Sequence, residues 1–276
     1  MRRTLWILIF NFGLVWAKSG GGVGGFGSFG SPPPLAAPSV GGGGFFGFGV
    51  PFFFGGMMGG GFGGLGLLFL LILLFIAFSI VRGLQRASQG GGLGPGAEVA
   101  RLRLALLYRP EVQTELRSLA ERADTQSPEG LAELVGNAVA LLLREQPSWR
   151  FASFERARGD FTEVEAQFQR WMTEDRGSYT ETFHRFGDER EIRPTAPQVD
   201  PAGRYLLVSL IVALRGNFPP VTTPLRGSGA REALLALTSA TRENLLAAFV
   251  SWTPEAQGEA LTEDELVSGW PQLDLL

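Results

Sequence analysis

The longest apolar stretch of the chain is residues 62–81, which contain no charged side chain. At a rise of about 1.5 Å per residue, a helix of this length matches a bilayer core of about 30 Å. Arg82 and Arg86 follow directly, whereas Lys18 is the only basic residue between positions 18 and 61. By the positive-inside rule, this pattern predicts one transmembrane helix with the C-terminal part of the chain in the cytoplasm.

Residues 97–276 have the pattern of a folded domain. Residues 100–108 alternate, with Arg101 and Arg103 on one side and leucines on the other, which predicts a half-buried strand. Residues 204–216 form a continuous apolar run, which predicts a central strand buried on both faces. We therefore expect an α+β fold with a small sheet of three to four strands and packed helices. The other predicted elements are helices over about 110–123, 128–145, 161–174 and 230–240, an edge strand at 149–155 and a strand at 245–252.

The first 96 residues are expected to lie outside that domain. Residues 1–17 place two arginines before an apolar run that ends in small residues, which is typical of a secretory signal peptide cleaved after Ala17; an uncleaved anchor is the alternative. Residues 18–61 are rich in Gly, Phe and Pro and have no period, so we expect a disordered tether. The phenylalanines of this segment allow two other possibilities, which are contact with the membrane interface and self-association. Residues 82–96 are predicted to be a hinge.

Composition excludes several classes of function. The chain has no cysteine, a single lysine and a single histidine, so thiolate chemistry, a P-loop lysine in the domain and a multi-histidine metal site are excluded. No acidic residue precedes Glu98, and all 27 acidic residues therefore lie in the C-terminal part. An acidic domain is repelled by phosphate backbones, so we do not expect nucleic-acid binding.

Few side chains indicate chemistry of their own. His184 lies near Glu181 and Asp188 without any nucleophile motif, which favours a structural role. Arg215 ends the predicted central strand, and ligands of α/β sheets often bind at strand ends, so Arg215 is a candidate anion site. We predict no catalytic residue, no cofactor and no metal site.

The acidic stretch 251–266, SWTPEAQGEALTEDEL, looks at first like a cluster of catalytic or metal-binding carboxylates. Thr262 and Glu265 have the spacing of a capping box, and acidic residues in a first helical turn are favoured by the helix dipole. The glycine spacing of a calcium loop is absent. The stretch therefore predicts a strand end, a turn and a helix start. Trp252 and Trp270, together with these acids, are candidates for a partner-contact face.

The same region resembles the C-terminal signature of an uncharacterised family, domain of unknown function 1517. The matching segments are YLLVSLIVALRG, LLLREQPSW and VEAQFQRWMTEDRGSYTETF, and the sequence departs from the family pattern at Ala166, Gln167, Asp175 and Trp270. The resemblance implies relatives in cyanobacteria, plastids and other bacteria, and for plant members a link to acclimation to changing light. It supplies no catalytic residues. The signature itself matches at Trp252, Thr253, Pro254, Leu261, Thr262, Asp264, Glu265, Leu266, Trp270, Pro271 and Leu273.

Three functions stay open from the sequence. The first is a non-enzymatic, single-pass cell-membrane protein whose cytoplasmic domain binds a membrane-protein partner in a regulatory or assembly role. The second is a ligand-binding or enzymatic domain that uses Arg215. The third is a scaffold that self-associates through the Phe/Gly segment.

Overall fold

The computed structural model describes residues 18–27, 29, 96–193, 196–226 and 228–276. The predicted signal peptide at 1–17 and the predicted transmembrane helix at 62–81 lie outside these residues, as do most of the Gly/Phe-rich segment and the hinge. Among the helices in the described part of the chain, none has the length and hydropathy needed to cross a bilayer.

The fold is α+β, and its sheet is larger than the pattern predicts. The described residues contribute eight strands in the spatial order β5-β4-β1-β7-β6-β2-β3-β8. All neighbouring strands are antiparallel except β1 and β4, which are parallel. The strands are β1 (Ser19–Phe26), β2 (Ala97–Leu107), β3 (Trp149–Gly159), β4 (Thr180–Phe186), β5 (Glu189–Ile192), β6 (Tyr205–Arg215), β7 (Leu245–Thr253) and β8 (Asp274–Leu275).

In the described part of the chain, five α-helices cover the sheet, close to where the sequence pattern places them. Pro at the first helical position starts α1 and α2, since it lacks the N–H that a first turn leaves unpaired. The helices α3 and α5 each begin with a capping box, Asp160 with Glu163 and Thr262 with Glu265. Their bounds are α1 (Pro110–Arg122), α2 (Pro128–Arg144), α3 (Phe161–Gly177), α4 (Gly229–Leu237) and α5 (Glu263–Gly269).

The two faces of the sheet pack differently. On one face, α1, α2 and α4 bury a continuous apolar core with residues such as Leu104, Leu210 and Val250. On the other face, α3 covers a second cluster that includes Phe168 and Phe249. The helix α5 covers a third cluster with Leu207, Leu266 and Trp270 at its centre. The predicted central strand is confirmed: β6 pairs with both β2 and β7 and is buried along its length.

The sequence pattern does not indicate four of the eight described strands, β1, β4, β5 and β8, and β1 is the most unusual of them in sequence. Ser19–Phe26 reads SGGGVGGF, and all but its last residue are buried. It lies within the sheet rather than in a disordered tether, which corrects that expectation for these residues. Glycine is needed because a Cβ at Gly20 would lie 2.0 Å from the Tyr179 ring and one at Gly22 would lie 2.6 Å from the Phe249 ring. The covering aromatic rings occupy the space that larger side chains of β1 would need.

The pairing of β1 bears on one part of the predicted topology. Neighbouring strands of a sheet exchange backbone hydrogen bonds, so residues 19–26 and the domain at 97–276 lie together in one sheet. The single-pass topology was predicted from residues 62–81, which lie outside the described residues, and it stays a prediction.

Candidate functional site

A row of polar positions crosses the face of the sheet that α3 and α5 cover. Residues opposite each other on neighbouring strands point to the same face, so the backbone register places the row on one side. It runs between the second and third apolar clusters and separates them. We call it the polar row; from β3 to β4 its members are Ser153, Arg103, Ser209, Ser251 and His184, with Gly22 of β1 in register between the last two.

An acid from α3 neutralises the centre of the polar row. Asp175 is 2% exposed. Its Oδ1 accepts hydrogen bonds from Arg103 Nε at 3.1 Å and from Arg103 Nη2 at 2.5 Å, and its Oδ2 accepts one from Ser209 Oγ at 2.5 Å. A buried charge is tolerated when it is paired and hydrogen-bonded. The last turns of α3 are therefore fixed to the middle of the sheet by these three side chains.

A second buried arginine holds two carboxylates at the surface. Arg101 Nε donates to Glu155 Oε2 at 2.8 Å, and Arg101 Nη1 donates to Glu174 Oε2 at 2.8 Å. The guanidinium carbon also lies 4.7 Å from the centre of the Trp171 ring. The Arg101 side chain is 4% exposed, whereas those of Glu155 and Glu174 are 39% and 48% exposed. The two acids are thus accessible and positionally fixed.

A groove of about 360 Å³ opens at this cluster, between α3 and the end of α5. Arg101 and Arg103 meet three acids there, because Asp175 and the exposed Glu155 and Glu174 contact their guanidinium groups. The cluster therefore has one more negative than positive charge, and its accessible part is acidic. The lining residues are Arg101, Arg103, Glu155, Glu174, Ser178, Gly269, Trp270 and Gln272.

A cavity of about 10 Å³ adjoins the groove and shares Ser178 and Trp270 with it. This volume is enough for about one water molecule. Tyr179 contributes to the lining, and its buried hydroxyl has no hydrogen bond of good geometry with any described residue. Burial raises the pKa of Tyr179 well above its usual value, and the nearby carboxylates add to that effect. The hydroxyl is therefore protonated throughout the physiological range.

The other end of the polar row contains the single histidine. His184 is 3% exposed, and its Nδ1 lies 3.1 Å from Glu181 Oε1. Arg176 donates to both Glu181 oxygens at 2.9 Å. Burial alone raises the pKa of Glu181, but the contacts with His184 and the hydrogen bonds from Arg176 outweigh it and lower the pKa to about 2. Glu181 is therefore ionised and lies beside the imidazole, whose two buried nitrogens have no hydrogen bond of good geometry with any described residue.

The three site residues predicted from the sequence lie in different surroundings. Arg215 is half-buried at the end of β6, away from the groove, and its guanidinium lies 5.5 Å from the centre of the Phe161 ring. Trp252 is 1% exposed inside the first core, which corrects its prediction as a partner-contact residue. Trp270 is 5% exposed but lines the groove. An anion-binding role for Arg215 stays a prediction.

The acidic stretch 251–266 binds the start of β1. Ser19 Oγ donates to Glu259 Oε2 at 2.7 Å and accepts from the backbone N–H groups of Glu255 and Ala256 at 2.9 and 2.7 Å. A hydroxyl has one donor and two acceptor sites, so Ser19 uses its full capacity. Thr253 Oγ1 also donates to the Ser19 carbonyl at 2.7 Å. The predicted capping box is confirmed, and Glu259 has a role that the sequence pattern does not indicate.

The burial of Arg101 and Arg103 does not follow from strand periodicity alone. Alternation in β2 correctly predicts that Arg101 and Arg103 share one face, and charge then suggested that this face meets solvent. The structure covers it with α3 and α5. Glu174 and Asp175, adjacent acids near the end of α3, are the available signal: two arginines on one strand face need acidic partners if that face is covered.

The fold and the groove define an α+β domain with an acidic surface site over a buried polar row. No solved structure matches the chain. The family described as "Protein of unknown function (DUF1517)" matches residues 96–276, and the chain belongs to that family. The resemblance seen in the sequence is thereby confirmed.

Two curated relatives extend this comparison. "Protein FLAP1 homolog A" of Synechocystis sp. is 32% identical over 204 residues, which cover 68% of this chain and 60% of the relative. "FLUCTUATING-LIGHT-ACCLIMATION protein 1, chloroplastic" of Arabidopsis thaliana is 31% identical over 219 residues, which cover 74% of this chain and 54% of the relative. The chain therefore spans less than two thirds of the length of these relatives.

Proposed function

We propose that the chain is a non-catalytic, membrane-anchored protein that uses the acidic groove to bind a basic segment of a membrane-protein partner. The observation that carries this proposal is the pair of exposed carboxylates, Glu155 and Glu174, held by the buried Arg101. Preorganised charges of this kind bind a complementary group without a further loss of side-chain freedom.

The chemistry of the groove supports a cationic ligand group. A Lys or Arg side chain that enters between Glu155 and Glu174 meets two carboxylates and the surplus negative charge of the cluster. Trp270 lines the groove beside these carboxylates, although only 5% of its surface is exposed. The overall acidity of the domain adds long-range attraction for a basic partner.

The names of the relatives support a regulatory context. The Arabidopsis relative is named for acclimation to fluctuating light, and it is chloroplastic. We propose a related role in acclimation for this chain, exerted through binding of a membrane protein. Anchoring rests on the apolar stretch 62–81 of the sequence.

A pull-down from detergent-solubilised membranes tests the groove. The full-length chain is expected to retain a specific membrane protein, and the double variant Glu155→Gln, Glu174→Gln is expected to retain at least about tenfold less of it, because two charge pairs are lost. Glutamine keeps the shape of the side chain and an acceptor for Arg101. The matched control is Glu133→Gln, at an exposed position of α2 away from the groove.

Thermal melting of both variants verifies that they are folded. Equal retention by the wild-type chain and the double variant would show that the groove is not the binding site. Failure of the wild-type chain to retain any specific protein would overturn the partner-binding function as a whole.

A further inference from the structure

The outer side of β3 is only partly covered by a neighbouring strand. On its inner side, β2 pairs with β3 along its length. On its outer side, β8 pairs with β3 only at Phe151 and Ala152. The Leu276 N–H adds one hydrogen bond, to the Arg150 carbonyl at 2.9 Å. Among the described residues, no strand pairs with the outer side of residues 153–159, which we call the open edge.

Backbone alternation determines which groups face outward at the open edge. The Arg150 carbonyl faces β8, and in an antiparallel strand the N–H and C=O groups of every second residue point to the same side. Phe154, Arg156 and Arg158 therefore direct their N–H and C=O groups outward, where no described backbone group pairs with them. Residues 154–159 are half-buried or exposed, unlike those of β2. Unpaired groups of this kind can receive a further strand.

The acidic groove lies directly beside the open edge. Glu155 belongs to β3 and forms the accessible part of the groove together with Glu174. Gln272, which precedes β8 in the chain, also lines the groove. Opposite residues of neighbouring strands point to the same face of a sheet. A residue of an added strand opposite Glu155 therefore points to the α3 side, where a basic side chain meets both carboxylates.

The other face of the open edge carries the opposite charge. Alternate residues of an added strand point to this face, beside Arg156 and Arg158. Arg156 is neutralised by Glu98, whose two carboxylate oxygens accept its hydrogen bonds at 2.8 Å, whereas the Arg158 side chain is 59% exposed and lies 3.8 Å from Glu98. Basic side chains on this face would be repelled. A second copy of β3 would bring arginines close to these arginines, which disfavours self-pairing.

We infer that the basic segment of the partner binds as an antiparallel strand along the open edge of β3, with its basic side chains at every second position, on the groove side. This inference rests on the proposed function and specifies how the groove holds its ligand. Backbone hydrogen bonds to Phe154, Arg156 and Arg158 hold the segment in an extended form. Glu155 and Glu174 select the positions of its charges. The antiparallel direction is that of β8, which already pairs with the first part of β3.

A proline at the open edge tests the backbone pairing. The probe is a fluorescently labelled synthetic peptide in which lysine and threonine alternate, and its affinity for the full-length chain in detergent is measured by anisotropy. Arg158→Pro should bind the peptide at least about fivefold more weakly than Arg158→Ala, because both lose the guanidinium and only proline loses the outward N–H. Edge strands accept proline where the N–H faces outward, and thermal melting verifies the fold. Equal affinities would overturn the inference.

Methylated peptides give a second measurement that leaves the protein unchanged. In the inferred pairing, the threonine N–H groups face β3 and the lysine N–H groups face away from it. N-methylation of the threonines should therefore abolish binding to the wild-type chain, whereas N-methylation of the lysines should preserve it. Equal losses from the two modifications, or no loss from threonine methylation, would contradict an added strand.

Pull-downs from solubilised membranes separate failure of this inference from failure of the proposed function. Loss of the membrane partner in the double variant Glu155→Gln, Glu174→Gln, with equal retention by Arg158→Pro and Arg158→Ala, would overturn strand addition while the groove remains the binding site. Equal retention by the double variant and the wild-type chain would overturn the proposed function itself. Dimerisation of the wild-type chain that Arg158→Pro abolishes would identify a second copy as the occupant and overturn the inference; light scattering measures it.

Discussion

Both faces of the sheet are covered by helices, but the buried contacts on the two faces differ in kind. The face under α1, α2 and α4 is apolar throughout and is held by one continuous core. The face under α3 and α5 is divided by the polar row, whose Arg103 requires Asp175 from α3 as a partner. The first face tolerates any well-packed apolar set of the right volume, whereas the second depends on particular charges and hydrogen bonds. The surface groove lies on the second face, where the buried Arg101 holds the exposed carboxylates of Glu155 and Glu174 in place.

The largest expected effect comes from breaking the polar row at its centre. Asp175→Ala leaves Arg103 buried without a countercharge, so the free energy of unfolding should fall by about 3–5 kcal/mol. Urea denaturation measures this. The double variant Arg103→Met, Asp175→Leu removes both charges and fills the space, and it should recover most of the loss. A loss below about 1 kcal/mol for the single variant would show that the two faces do not differ in this way.

The second-largest effect is expected where β1 closely approaches the aromatic residues that cover it. Gly20→Ala places a Cβ against the Tyr179 ring, and overpacking of this kind should lower the free energy of unfolding by about 1–3 kcal/mol. The control is Gly136→Ala in α2 on the apolar face, where no atom lies within 4 Å of the added Cβ. The control should be stabilised by about 0.5–1 kcal/mol, as expected for alanine in a helix interior. Similar effects at both sites would contradict the packing argument.

A pH series examines the histidine end of the polar row. The pKa of Glu181 is lowered to about 2 in the folded state, from 4.5. The resulting stabilisation is present above pH 4.5 and is lost as the pH falls from about 4.5 to about 2. Because the carboxylate is partly screened by solvent, we expect a loss of about 1–2 kcal/mol. Chemical denaturation at several pH values should show a smaller acid dependence for Glu181→Gln; an unchanged dependence would contradict the assignment to Glu181.

The smallest effect concerns the helix starts on the divided face. Asp160→Ala removes the side chain that accepts the Glu163 N–H at 2.9 Å, and it should cost about 1 kcal/mol in unfolding free energy. Asp160→Ser keeps an acceptor at that position and should cost much less. Thermal or urea unfolding of both variants distinguishes loss of the cap from a general effect of substitution; equal losses would argue against the capping role.

Much of the domain is predictable because local rules and the fold agree. Pro110, Ser127, Asp160 and Thr262 each mark a helix start that the structure confirms. The apolar run of β6 correctly predicts a strand buried on both faces. By contrast, β1 has glycines where strands usually carry β-branched or aromatic residues, and β5 is short and exposed, so neither has a periodic signal.

The candidate site was less predictable than the fold. Arg215 was predicted from its position at a strand end, and Trp252 from its place beside the acidic stretch, but the accessible groove is built from Glu155, Glu174 and Trp270. Only Trp270 was anticipated from the sequence. The pairing of Arg101 with acids on β3 and α3 depends on sheet register and helix placement, and single-chain periodicity contains neither.

The sequence by itself determined the α+β class, the starts of most helices, the acidity of the domain, the family, and an uncharged apolar run between basic flanks. These features follow from local propensity, capping chemistry and composition, which act over a few residues. Only the tertiary structure decided that a glycine strand from the N-terminal segment completes the sheet and that two arginines of β2 are buried. Both outcomes depend on contacts between residues far apart in the chain: β1 is stabilised by hydrogen bonds to β4, β7 and the 251–266 stretch, and Arg103 is stabilised by Asp175.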